Sequence, residues 1–344
     1  MTVSHHRRRV VIGALKLIFA GSILAYLFYR LSADGVFSRL VDEPKNWRFL
    51  ALAQVCVIGG ITLNFVRWFL LVRALELDFR LSDALRLGSL GHLLNQVSPG
   101  SVGGDLFKAV FIAREQPEKR TEAIASVVID RVVGLYAMLL VACLGYAIAG
   151  GAGNESSVST EMRSLITLVV ALTAIGTAGI GLLMTPAVTG PQMRIRLERI
   201  PGVGHTLGRL LVAAGAYRSR RRDLFAAIGV ACCTHTLFVI AAWCVSQGLP
   251  VKSPSFSAMF LVGPMSLAAG ALPLTPSGLG TFELAMDKLF VAVGGNEGDG
   301  ALVAITYRVM TYVMAGLGAA YYLTSRTKVQ RILHEAEDLA DELA

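Results

Sequence analysis

The 344-residue chain is 54% hydrophobic and 16% charged, with a mean hydropathy of +0.59 and a formal charge of +8. That balance excludes an ordinary soluble domain and points to an all-α polytopic membrane protein. The positive charge gathers in a few segments between apolar runs with little aromatic interleaving, a pattern of cytoplasmic loops rather than of nucleic-acid binding.

Arg7-Arg8-Arg9 precede an apolar run from Val10 to Tyr29, read as a first span acting as an uncleaved anchor with its N-terminus in the cytoplasm. Pro44 and Trp47 mark an interfacial stop, and Phe49–Val72 is the second span. Arg67 and Arg73 are expected there as anchors reaching the cytoplasmic headgroups. The next stretch, to Arg114, is too polar and too broken to cross once. It reads as two half-helices, Ser82–Gln96 and Gly104–Arg114, forming a re-entrant hairpin from the cytoplasmic side. Pro99, Gly100, Gly103 and Gly104 make the break, and Ser101 or Asp105 is placed to cap the helix that follows.

Glu122–Ile148 is the third span, with Asp130-Arg131 about two turns inside it, and Leu165–Met184 the fourth. The segment 186–222 is arginine-rich and is expected to be a cytoplasmic loop. Leu224–Gln247 is the fifth span. Ser255–Leu272 and Leu279–Val293 flank a second break built on Pro273, Pro276, Gly278 and Gly280, and a short acidic, glycine-rich turn leads into the last span, Ala301–Thr324. Residues 326–344 read as a cytoplasmic tail. All five cysteines, Cys56, Cys143, Cys232, Cys233 and Cys244, fall in apolar runs without Cys-x-x-Cys spacing and are expected to serve packing.

Pro99 and Pro276 stand 177 residues apart, and the same offset carries Gly103 onto Gly280 and Arg131 onto Arg308. The chain therefore reads as a duplication, with repeat 1 over about 10–150 and repeat 2 over about 163–325. Three full spans per repeat force the copies into opposite orientations, which gives six spans plus two opposed re-entrant hairpins, an inverted repeat with both termini in the cytoplasm. Simple counting gives eight spans with the same terminal locations.

Opposed hairpins would aim two helix N-termini at the protein centre, where free N–H groups and the helix dipole favour an anion. Arg131 and Arg308 each follow their break by 32 residues, and an arginine inside a span marks a functional site by default. A guanidinium suits a lipid phosphate. Asp105 and Glu283 open the helices after the breaks, where an acid caps its helix, neutralises an arginine at rest, or meets a ligand amine. Asp130 is expected to pair with a neighbouring helix. Lys108 reads equally as an interfacial anchor or a phosphate contact, and His92 and His235 as core residues. The candidate substrate-binding set is Arg131, Arg308, Asp105, Glu283, Lys108, Ser101, Gly103, Gly104, Gly278 and Gly280. No catalytic signature or metal-ligand spacing is present, so no enzyme chemistry, metal or cofactor is expected.

Four motifs in this order, Ser-Pro-Gly-Ser-Val-Gly-Gly-Asp105, Ala-Ser-Val-Val-Ile-Asp-Arg131, Pro-Leu-Thr-Pro-Ser-Gly-Leu-Gly-Thr-Phe-Glu283 and Tyr-Arg308, resemble the lysylphosphatidylglycerol synthase transmembrane family. The resemblance runs from the first span to the last. It implies a lipid flippase of the cell membrane, since in aminoacyl-lipid synthases this region moves the modified lipid to the outer leaflet. The soluble domain that transfers lysine from tRNA there has no counterpart up to Ala344, so synthase activity is not expected. The resemblance implies an anionic, aminoacylated or glycosylated lipid as substrate, with a lipid-modifying enzyme or a second copy of the chain as partner. Two other readings stand beside it: a membrane subunit or enzyme of lipid or glycan-lipid modification, and a proton-coupled transporter of a small anion.

Overall fold

A computed structural model describes residues 15, 18–29, 31–32, 36–97, 103–148, 160–189, 215–272 and 274–324. Among them every regular element is helical: α1 (Ile18–Tyr29), α2 (Val36–Asp42), α3 (Trp47–Ala74), α4 (Leu81–Val97), α5 (Gly103–Glu115), α6 (Arg120–Ile148), α7 (Thr160–Leu183), α8 (Arg221–Gly248), α9 (Phe256–Ala271), α10 (Thr281–Ala292) and α11 (Asp299–Thr324). Five of these, α3, α6, α7, α8 and α11, are long and apolar enough to cross a bilayer. The chain is a multi-pass membrane protein. The first expected span begins outside the described residues, as do most of the basic loop and the whole tail.

Local chemistry sets the ends of the helices. Asn46 caps α3, its side chain accepting from the Arg48 N–H at 3.2 Å, and Ser255 caps α9 by accepting from the Ala258 N–H at 3.2 Å. Pro117 follows α5 after Gln116 and starts a single 3₁₀ turn before α6. At the C-terminal side of α10, Asp287 closes the α10–α11 turn by accepting from the Gly298 N–H at 2.8 Å and the Ala301 N–H at 3.3 Å. Buried Asp299 accepts from the Lys252 N–H at 2.9 Å and from Arg39 at 3.1 Å. Asp287 thus satisfies orphan backbone donors where α11 begins, and Asp299 of the acidic turn ties it to the α8–α9 connection and to α2.

α4 packs against α5, and α9 packs against α10. At 17, 13, 16 and 12 residues, these helices run about 18–26 Å, short of a ~30 Å hydrocarbon core. Among the described helices the most extensive packing joins α3 to α8. Ala53, Val57 and Ile61 meet Ala241, Ala242 and Val245 there in one apolar cluster. Small side chains on both helices let the backbones approach, which matters because lipid offers no hydrophobic driving force and packing must hold the helices together.

Helices related by the 177-residue offset keep equivalent neighbours. While α4 packs on α11, α9 packs on α6; α5 lies against α6 as α10 lies against α11. Each short pair therefore bridges to a long helix of the other half of the chain. That exchange brings the two breaks together.

Candidate functional site

The first break is held by a side chain on the α4 flank and by a close backbone approach. Asn95, in the last turn of α4, accepts the Gly104 N–H at 2.9 Å and so caps α5. At Gly104 a Cβ would lie 1.9 Å from the Gly91 carbonyl oxygen, so only glycine lets α4 and α5 cross this closely. Gly103 is the first residue of α5. Pro99, Gly100 and Ser101 lie outside the described residues.

In the second break, Pro276 starts a single 3₁₀ turn, Ser277 has φ 51°, Gly278 φ 65° and Gly280 φ 84°. A Cβ on Gly278 would lie 2.2 Å from the Gly270 carbonyl oxygen, the same device as at Gly104 with a left-handed backbone added. Pro273 lies outside the described residues. At the N-terminus of α10, buried Glu283 accepts the Gly280 N–H at 2.8 Å and so caps its own helix.

The two breaks touch. The Ser277 hydroxyl lies 2.7 Å from the Asn95 carbonyl and 2.8 Å from the Gln96 carbonyl, two acceptors that the end of α4 leaves without helical partners. One turn earlier, His92 Nε2 is 3.4 Å from the Thr311 carbonyl of α11. These contacts form a wall, with His92 and Asn95 lining one cavity and Gln96, Ser277 and Thr311 lining another. On one side is a cavity of about 180 Å³ lined by Asn64, Arg67, His92, Asn95, Asp105, Lys108, Asp130 and Arg131. On the other is a cavity of about 210 Å³ lined by residues that include Gln96, Ser277, Phe282, Tyr307, Arg308 and Thr311.

Although matched in sequence, the two arginines differ in setting. Arg308 is spent on the protein: its Nε donates to Glu283, and its two terminal nitrogens donate to the carbonyls of Ser277 and Gly278, each at 3.0 Å. It also lies over the Phe282 ring. The guanidinium thereby fixes the strained corner and cancels the Glu283 charge.

Arg131 pairs with Asp105, yet its side chain is 53% exposed against 13% for the acid. Val128, Val132 and Leu135 beside it on α6 are exposed too, so the first cavity has a charged mouth on an apolar flank of the molecule.

Deeper in the first cavity, Arg67 binds Asp130 through two bonds, Nε–Oδ1 at 2.7 Å and Nη2–Oδ2 at 3.0 Å, and both residues are buried. This corrects the expectation that Arg67 anchors at the headgroups. An arginine near the end of a span can turn inward when an acid on a packed neighbour meets it, and α3 lies against α6. Asp130 does pair with a neighbouring helix. Lys108 is largely buried, 3.9 Å from Asp105 and 5.1 Å above the Trp68 ring. His92 belongs to the cavity wall as well as to the packing. Among the described residues no His, Cys, Asp or Glu group of three or more is placed to hold a metal.

Sequence reasoning missed Ser277, Asn95 and Arg67. Ser277 and Asn95 sit in or beside the quoted breaks, and their bonds across more than 180 residues have no local signal. Only Arg67 had one, an arginine within a span, and the alternative of an interfacial anchor concealed it.

A family model described as "Lysylphosphatidylglycerol synthase TM region" matches residues 13–318. The chain is also similar to a UPF0104 membrane protein of Methanocaldococcus jannaschii, at 19% identity over 320 residues, covering 89% of this chain and 91% of the relative. No solved structure matches it with significance.

Proposed function

Because the chain belongs to the family of the lysylphosphatidylglycerol synthase transmembrane region, we propose that it is a flippase-like transporter that moves an anionic, aminoacylated or glycosylated phospholipid, or a related lipid, between leaflets. In this reading α4–α5 and α9–α10 are re-entrant hairpins entering from opposite faces, and the two halves form an inverted repeat in the cell membrane with cytoplasmic termini. The headgroup enters the first cavity past Arg131 while its acyl chains stay in the bilayer along the apolar flank of α6. Parting of the wall between Ser277 and Asn95–Gln96 joins the two cavities and lets the headgroup cross.

The observation that carries the proposal is the contact of the two breaks between two cavities, the first of them mainly polar and the second mainly apolar with Arg308 in its lining. One cavity alone would serve binding. Two of them, divided by a few hydrogen bonds of roughly 1 kcal/mol each, are suited to alternating access.

Reconstitution tests it. Vesicles holding the purified protein should exchange a headgroup-labelled anionic phospholipid between leaflets, and Arg131→Ala protein with an unchanged melting temperature should lose at least about tenfold of the rate, the scale of one charge-assisted bond. Chemical conversion of the lipid, seen as a mass change, would instead assign the protein to lipid modification. Uptake of a soluble anion without lipid exchange would assign it to solute transport.

A further inference from the structure

The wall between the two cavities is made of unlike contacts. The Ser277 hydroxyl faces the Asn95 and Gln96 carbonyls, and these neutral groups do not respond to pH. His92 is different. It lines the first cavity, while its Nε2 faces the carbonyl of Thr311, a residue that lines the second. At 3.4 Å this contact is longer than an ordinary N–H···O bond. Elsewhere the same two helices are tight: a Cβ on Gly318 of α11 would lie 2.3 Å from the Ser89 carbonyl of α4. The helices α4 and α11 are thus locked backbone to backbone at one level and held loosely by an imidazole at another.

A ring in that place can gain or lose a proton near neutral pH. Neutral, it offers the carbonyl an uncharged N–H, or in its other tautomer a lone pair that repels it. Protonated, it donates from Nε2 in a charge-assisted bond, shorter and about twice as strong. Arg67 of α3, Asp105 and Lys108 of α5, and Asp130 and Arg131 of α6 line the first cavity with it, a surplus of one positive charge. Asp83 and Arg86 stand nearer the start of α4 itself. Arg308 of α11 and Glu283 of α10 neutralise one another at the second corner. The charges of the first cavity face the ring whether the wall is closed or parted. They set the pH at which it titrates and not the state that its proton favours. The Thr311 carbonyl, by contrast, is withdrawn when α4 and α11 separate.

We propose that His92 is a proton-operated latch of the wall: an imidazolium there ties α4 to α11 and keeps the two cavities apart, and loss of the proton frees them to join. The ring holds its proton more tightly with the wall closed. This support for the closed wall is therefore complete below the titration of His92 and is lost as the pH rises through it. The latch rests on the lipid-transport reading for what parting of the wall achieves, and not for the link between proton and wall.

Linkage makes the latch measurable without transport, because whatever closes the wall must tighten the hold of His92 on its proton. The full chain, cleared of native cysteines and carrying Gln96→Cys and Ser277→Cys, is joined at that pair by a short, cleavable thiol reagent. With isotopically labelled histidine, NMR in detergent follows the titration, and the His92 signal is identified among the six histidines by its loss in His92→Gln. Its midpoint should rise by about one pH unit when the corners are tied, a roughly tenfold tighter hold on the proton, as a charge-assisted bond in place of a neutral one implies. Reduction of the link should reverse the shift. Should the double-cysteine protein fail to fold, Ser277→Ala loosens the wall instead and should lower the midpoint relative to the wild type. In either protein, a midpoint that stays in place or moves the other way would overturn the latch.

Leaflet exchange separates the latch from the transport reading. In vesicles buffered alike inside and out, wild-type exchange of a headgroup-labelled anionic phospholipid should slow by up to about tenfold as the pH falls through the midpoint, and His92→Gln should remove that dependence. Exchange in His92→Gln with the wild-type pH profile would overturn the latch and leave transport standing. Absence of exchange at every pH, with the midpoint shifting as expected, would sink the transport reading and leave the proton-linked wall.

Discussion

Arg67 and Asp130 form the most deeply placed ion pair of the first cavity, and their value lies in being broken together or not at all. Removing one partner leaves a buried charge unmatched, which costs roughly 3–5 kcal/mol, whereas an apolar pair of similar volume can be close to neutral. Asp130→Ala should therefore destabilise the protein by that amount in detergent unfolding, and an Arg67→Leu/Asp130→Leu double variant should recover most of it. Additive losses in the double variant would show that the two residues do not act as a pair. This pair also marks the limit of residue-scale reading. Sequence reasoning gave Asp130 a partner on another helix, but it could not name one 63 residues away, because that depends on which faces of α3 and α6 meet. Arg131 and Arg308 show the same limit: identical residues at identical spacing, one with all its nitrogens committed to the protein and the other at a cavity mouth.

At the scale of elements, helix boundaries were legible to within a few residues because Pro, Gly and capping side chains set them locally. Ser82–Gln96 and Gly104–Arg114 became Leu81–Val97 and Gly103–Glu115, and the piece expected from Leu279 begins at Thr281, after Gly280 has turned the chain. How the elements dock was not legible, because close approach at Gly104 and Gly278 depends on the opposing Gly91 and Gly270 carbonyls. Gly278→Ala combines a left-handed backbone with that collision. It should cost more than the ~1 kcal/mol of a left-handed strain alone and lower the melting temperature, whereas Gly179→Ala, on an open face of α7, should be neutral or slightly stabilising. Equal melting temperatures for the two variants would mean that the second corner is not as tightly built as its geometry indicates. Ser277→Ala removes only the hydroxyl from the wall. It should leave stability within about 1 kcal/mol and change the exchange rate instead, since one neutral hydrogen bond contributes about that much.

Across the whole molecule, the exchange of neighbours between halves is what joins the breaks: α4 leans on α11, α9 on α6, and α3 lies against α8 between them. The repeated motifs suggested such an arrangement, and the described helices bring the two corners into hydrogen-bonding distance. The transport account depends on that contact opening. It is tested most directly by replacing the five native cysteines, introducing Gln96→Cys and Ser277→Cys together, and joining the pair with a short, cleavable thiol reagent before measuring leaflet exchange in vesicles. Exchange should stop when the two corners are tied and return when the link is reduced, with either single-cysteine protein unaffected by the reagent. Undiminished exchange with the corners tied would contradict passage of the headgroup between them.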